Sequence, residues 1–264
     1  NTNGAVSSMR RCVDLAVTYA RVREAFGQKL IALPLHTETL ANLQVEVEGA
    51  LAVGLRLAEL LGKVECNVAT DIERATWRLL TPLAKLGTGK QAVSVASETL
   101  EAFGGAGYIE DTDIPRLLRD AQVLPIWEGT TNVLSLDALR AIDRENALEG
   151  FMTDIARLVA GLDTGPLAAT TVQIEQARSA LGRYAVSMSA QGDPVAIQLG
   201  ARRFALSLYR TYAAALLCRH AAWELEHTGS MRGCHIATRW TDAGLTQIAT
   251  FNAKRAAENL ELIG

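Results

Sequence analysis

The stretch VLPIWEGTTN, residues 123–132, places one carboxylate, Glu128, between an apolar run ending in a tryptophan and a helix start signal. An acid in apolar surroundings has its pKa raised and its basicity strengthened, the condition a general base needs. Two readings of Glu128 stand side by side. It is a proton acceptor at the edge of a site, or it is an acid near a helical first turn, where the macrodipole favours negative charge.

Other residues invite similar questions. In ARVREAFGQKL, Arg23 offers a permanently charged planar fork suited to phosphate, and Phe26 offers a flat apolar surface three residues later. The bland alternative is a surface arginine and a core phenylalanine. Gly104 and Gly105 let a ligand approach the backbone and take N–H bonds, or they simply stop a helix. Thr130 and Asn132 sit where a helix N-terminus favours anions, and plain capping explains them as well.

Several tempting motifs fail. LGTGKQ (86–91) has Ala84 where a phosphate loop needs Gly and Gln91 where it needs Ser or Thr. GGAGYIE follows a helical pattern instead of a strand and has Glu110 in place of a third Gly, which rejects the dinucleotide fingerprint. Cys218, His220, His227, Cys234 and His235 include no close Cys-x-x-Cys pair, so no metal site is assigned. No Ser-His-Asp spacing or nucleophile elbow is present.

The elements that must position these groups read as helices. The 264 residues hold only 5% aromatics, and alanine and leucine dominate, which suits long packed helices. Met9, Val13, Ala16 and Ala20 recur on one helical face. A second helix is expected from about Thr37 or Thr39 to Gly62, and a third from Asp71 to Gly104 with a kink or break at Pro82. Asp113 should cap a short helix with Pro115 in its first turn, and Thr130, Thr131 or Asn132 should cap another. The fold class is all-α: an up-and-down bundle over 1–142 followed by a second helical layer over 143–264. Within that layer helices are expected near 168–190 and 194–228, then an irregular TGSMRGCHIATRW, then a last helix from about Thr241.

Net charge of −3 gives no global reason to bind nucleic acid or an anionic membrane. Residues 143–264 balance at 12 basic and 12 acidic side chains, so Arg202, Arg203, Arg210 and Arg219 read as a solvated face and a DNA partner is not expected. No segment approaches 18 uninterrupted apolar residues, so no membrane span is expected. The four cysteines show no pairing pattern and read as free thiols. The chain opens directly into a helical pattern without an initiator Met, which suggests a piece of a longer polypeptide.

Taken together, ARVREAFGQKL, ETLEAFGGAGYIED, PRLLRDAQVLPIWEGTTNV and LRAI, in this order and spacing, resemble the carboxy-terminal helical domain of flavin-dependent acyl-CoA dehydrogenases over about residues 1–142. IWEGTTNV and the long helical tail look most like the branch with the adaptive-response, AidB-type proteins. The resemblance implies an α,β-dehydrogenation of an acyl-CoA substrate, with Glu128 as the base for the α-proton and FAD as hydride acceptor. It implies that Arg23, Phe26, Gly104, Gly105, Thr130 and Asn132 stand at flavin-contacting positions, with the flavin's pyrophosphate and adenine reaching across a subunit interface. It further implies a homo-oligomer, a dimer or tetramer, with an electron-accepting protein partner. The implied compartment is the cytoplasm, or the mitochondrial matrix in a eukaryote. Glu101, where many members carry Gln, and Ala106, where Asn is common, depart from the pattern. The alternatives are a DNA-associated alkylation-response protein of the same fold and a non-catalytic assembly subunit contributing half a flavin site.

Overall fold

A computed structural model describes residues 1–264 as ten α-helices and one minute hairpin. Helix α1 (Thr2–Val22) buries Ala5, Met9, Cys12, Val13, Ala16 and Ala20 along one stripe, the spacing of a helix that needs a partner on one side only. It ends at Arg23, whose backbone is extended. Strands β1 (Glu24–Ala25) and β2 (Gln28–Lys29) then pair antiparallel. Phe26 and Gly27 form the hairpin turn, with φ of 53° and 79°, the left-handed pair that a tight two-residue hairpin requires.

Helix α2 (Pro34–Glu65) and helix α3 (Asp71–Ala102) follow. Thr70 starts α3 with a reciprocal capping box: its hydroxyl accepts from the Glu73 N–H, and the Glu73 carboxylate accepts from the Thr70 N–H. Helices α4 (Ile114–Val123) and α5 (Thr131–Glu145) complete the up-and-down bundle. The second layer holds α6 (Ala147–Val159), α7 (Ala168–Gln191), α8 (Pro194–Thr228) and α9 (Arg232–Asp242), and α10 (Lys254–Ile263) closes the chain. The fold is all-α, as its periodicity implies.

Helix α3 is the axis of the molecule and touches α1, α2, α4, α5, α6 and α8. One core of 34 buried residues runs from α2 and α3 through α8 and α9; a smaller one joins α1 to α2 and α3. Two glycines let the layers close on each other. A Cβ on Gly87 of α3 would lie 2.4 Å from the Tyr209 ring, and one on Gly49 of α2 would lie 2.2 Å from the Trp240 ring. The buried polar tips are satisfied, Tyr209 by the Gln91 side-chain oxygen at 2.5 Å and Trp240 by the Arg210 carbonyl at 2.9 Å. A buried charge cluster adds to this joint. Arg56 of α2 grips both oxygens of Asp154 of α6 at 3.1 Å, and Tyr212 of α8 donates to Asp154 at 2.5 Å.

Three local expectations are corrected and one is narrowed. Of the kink or break expected at Pro82 the break is absent, and helix α3 runs on through it. The proline has no N–H for the Arg78 carbonyl and costs about 3 kcal/mol. Leu79, Leu80, Leu83 and Leu86, all buried beside it, each contribute about 1.5–3 kcal/mol, so packing wins. Helix α2 begins at Pro34, before Thr37, because proline suits the first helical turn. The Asp113 side chain makes no capping bond; it adopts φ 60°, and the Thr112 hydroxyl accepts the Ile114 N–H instead. TGSMRGCHIATRW is largely helix α9, which buries Cys234, Ala237, Trp240 and Thr241 on one face, whereas the last helix starts only at Lys254.

Candidate active site

Glu128 sits in the link between α4 and α5. The last turn of α4 winds down through Ile126 and Trp127, whose N–H groups both donate to the Val123 carbonyl, at 3.0 and 3.1 Å. The chain then reverses at two consecutive residues of positive φ, Glu128 at 56° and Gly129 at 105°. For a residue with a side chain that conformation costs about 1–2 kcal/mol. Thr130 follows as the N-cap of α5, yet its side chain makes no capping bond. Neither Thr131 nor Asn132 is the cap; Thr131 is buried and Asn132 exposed.

The Glu128 link is held at several points. Asn1 donates from its side chain to the Leu124 carbonyl at 3.2 Å. Gly89 of α3 lets the Leu124–Pro125 backbone come close, since a Cβ there would stand 3.3 Å from it. Lys85, one turn earlier on α3, donates from Nζ to the Gly129 carbonyl. Lys85 is only 7% exposed. Burial pushes its ammonium pKa down, while the Glu128 charge pulls it the other way. Sequence reasoning passed over Lys85. Its signal was that it is the lone charge between Leu79 and Gly89.

Glu128 and Lys85 line one cleft of about 290 Å³, walled by the start of α1, by Gly54, Leu57, Ala58 and Leu61 of α2, and by Thr81 of α3. The apolar approach seen in the sequence is not a dry enclosure. Glu128 itself is exposed, and Val123, Ile126 and Trp127 are each about half exposed. Desolvation of this carboxylate therefore has to come from whatever covers the face. A larger cavity, about 630 Å³ between α2 and α8, includes neither Glu128 nor any of the flavin-type residues.

The second group of candidate residues lies at the far end of α1. Arg23 is exposed and makes no ion pair. Phe26 is 92% exposed at the tip of the hairpin. Gly104, at φ 60°, and Gly105 have open space where a Cβ would be, so the backbone there is accessible, whereas Gly107 of the same turn is buried against Leu100. Phe26 and Glu101 line one groove of about 450 Å³. Leu30 of the hairpin and Phe103 pack on the same small core, which brings Arg23, Phe26 and the glycine turn to one end. Glu128 stands by the start of α1, a helix of 21 residues and roughly 30 Å long, and Thr130 and Asn132 follow Glu128 within four residues of chain. The candidate residues thus form two clusters separated by the length of α1, not one pocket.

The remaining chemistry-bearing residues have other partners. Cys218 pairs with the Thr171 hydroxyl at 3.6 Å, and His220 and His227 stack against Trp223. Arg210 stacks over the Trp240 ring at 4.2 Å and pairs with Glu46 at 3.3 Å, so the four arginines of α8 do not form one exposed stripe. No helix is long and apolar enough to cross a membrane.

Residues 2–142 match the family model described as acyl-CoA dehydrogenase, C-terminal domain, and residues 146–263 match that described as acyl-CoA dehydrogenase 11 C-terminal domain-like. The chain is 42% identical over 228 residues to acyl-CoA dehydrogenase family member 11 of Caenorhabditis elegans, covering 84% of this chain and 37% of that protein. It is 34% identical over 161 residues to AidB of Escherichia coli K12, covering 61% and 29%. The crystal structure of Caenorhabditis elegans ACDH-11 in complex with C11-CoA superimposes with a TM-score of 0.92 at 36% identity, over 100% of this chain and 45% of that one. The chain thus spans less than half the length of these relatives. It belongs to the acyl-CoA dehydrogenase family, of which it is the carboxy-terminal helical part.

Proposed function

We propose that this chain supplies the catalytic base and part of the flavin site of an FAD-dependent acyl-CoA dehydrogenase. Glu128 takes the α-proton of an acyl-CoA thioester: the α-carbon–hydrogen bond breaks, the proton goes to the carboxylate, and the electron pair becomes the new α,β-double bond. FAD, the family's cofactor, supplies the acceptor for the β-hydrogen and its electron pair. The observation that carries this reading is the backbone of Glu128. An acid held at φ 56° in front of Gly129, at the mouth of a cleft, stores strain that folding alone does not require. The ACDH-11 structure is described with an acyl-CoA, C11-CoA, which supports the substrate class.

The residues present fit a dinucleotide. Arg23 has an unpaired guanidinium for a phosphate oxygen, Phe26 an exposed ring, and Gly105 an open backbone. Thr130 and Asn132 stand at the start of α5, whose free N–H groups favour an anion. Separation of these sets by the length of α1 favours a composite site, in which a second copy presents its hairpin end to the Glu128 end of the first. The division at residue 142, with 143–264 as a supporting layer, belongs to this reading. Glu128→Gln in the full-length, flavin-loaded protein tests it by stopped-flow bleaching with acyl-CoA. Binding should persist while flavin reduction falls by about 10²–10⁴-fold. Reduction at the wild-type rate would remove Glu128 from the mechanism.

A further inference from the structure

Three positions one turn apart on α3 face the Glu128 link: Thr81 lines the cleft, Lys85 reaches Gly129, and Gly89 meets the Leu124–Pro125 backbone. Residues four apart share a helix face, so one stripe of α3 grips both ends of segment 124–129. A buried lysine is rare without a partner. Lys85 has no carboxylate at ion-pair distance, and its protein acceptor is the Gly129 carbonyl. The residue that carbonyl follows is the strained Glu128, and strain of this kind persists only where surrounding contacts over-determine it.

Resting on the assignment of Glu128 as base, we propose that Lys85 is a positioning residue of this active site: its buried ammonium fixes the Glu128–Gly129 turn through the Gly129 carbonyl and holds the Glu128 carboxylate at the cleft by charge. Two roles are combined in one side chain. The hydrogen bond sets where the turn is, and the ammonium's charge attracts the carboxylate that the turn carries. No other side chain lining the cleft, on α1, α2 or α3, is ionisable.

The test uses full-length, flavin-loaded protein carrying Lys85→Met, Lys85→Gln or Lys85→Arg, beside Glu128→Gln. The rate of flavin reduction by saturating acyl-CoA and the acyl-CoA affinity are measured, and hydrogen exchange of the amides at 126–132 is followed without substrate. Lys85→Met should slow reduction by about 10- to 100-fold, as a small misplacement of a reacting group does, with acyl-CoA affinity within about threefold of wild type. Its amides at 126–132 should exchange faster. Lys85→Gln keeps a donor without a charge, so exchange should stay near wild type while reduction is still slowed; Lys85→Arg keeps both and should restore the rate. Wild-type exchange and a wild-type reduction rate in Lys85→Met would overturn the proposal. If Glu128→Gln reduces its flavin normally, the base assignment fails, whereas the exchange result still decides whether Lys85 holds the turn. An inactive Glu128→Gln beside an unaffected Lys85→Met refutes the Lys85 role alone.

Discussion

Two faces of α3 are built to opposite standards. Toward α6 and α8 the aromatic and charged groups are answered within the chain: Gly87 receives the Tyr209 ring, the Arg56 charge of neighbouring α2 meets Asp154, and Tyr212 closes the triangle. Toward the α4–α5 link and the hairpin, features are left open. Phe26, Tyr108 and Trp127 are exposed, Arg23 is unpaired, and Phe26 and Glu128 hold left-handed backbone. A face that satisfies itself is explained by folding. A face that keeps strain and bare apolar rings is explained by something that arrives later, here cofactor, substrate and a second copy.

If that contrast is right, damage on the first face should cost stability and damage on the second should cost function. The largest stability effect belongs to Asp154→Ala, which takes the buried carboxylate from Arg56, a side chain only 14% exposed, and leaves it the half-exposed Glu59 as its remaining counter-charge. Loss of one partner costs about 3–5 kcal/mol when a buried charge is left alone, so with Glu59 in place a cost of about 3 kcal/mol or less is expected, measurable by urea unfolding. On the open face, Arg23→Ala should leave unfolding unchanged and weaken FAD by about 1.5–3 kcal/mol in the full-length protein, the value of a charge-assisted hydrogen bond. Titration of the apoprotein with FAD checks this.

The capping box of α3 gives a pH signature on the self-satisfied side. Lys63, at 2.6 Å, and the Thr70 N–H hold the Glu73 carboxyl at about 2, below its ordinary 4.5. A depressed carboxyl contributes stability above its ordinary value and loses it as pH falls toward the folded one. Stability should therefore decline between about pH 4.5 and pH 2, and Glu73→Gln should flatten that decline. The smallest effect sharpens the comparison most. Glu128→Gly relieves a left-handed glutamate and should stabilise the fold by up to about 1 kcal/mol while abolishing turnover. A stability loss of that size would mean that Glu128 serves the fold.

Legibility in the sequence follows the same division. The buried stripes of α1 and α8 repeat at helical spacing, and their elements stand where the pattern puts them. Continuity of α3 through Pro82 was hidden because it depends on leucines packing against helices far along the chain. The hairpin was hidden because two-residue strands are too short to show a period. Helix α9 did carry a period, in Cys234, Ala237, Trp240 and Thr241, masked by the glycine before them and the histidine between them. The family motifs picked out residues but not distances. Only the fold reveals that Arg23 and Glu128 stand at opposite ends of α1, and that a lysine from LGTGKQ's own helix holds the Glu128 turn.

Proton transfer from the α-carbon to Glu128 is the central claim, and it can be measured apart from any redox step. An acyl-CoA with no hydrogen on its β-carbon permits α-proton abstraction and return but no hydride transfer. Incubated in D2O with full-length, flavin-loaded protein, it should gain deuterium at the α-carbon with wild type. With Glu128→Gln the exchange should fall by about 10²–10⁴-fold at unchanged ligand affinity. Equal α-exchange in the two proteins would contradict the account, because another group would then be taking the proton.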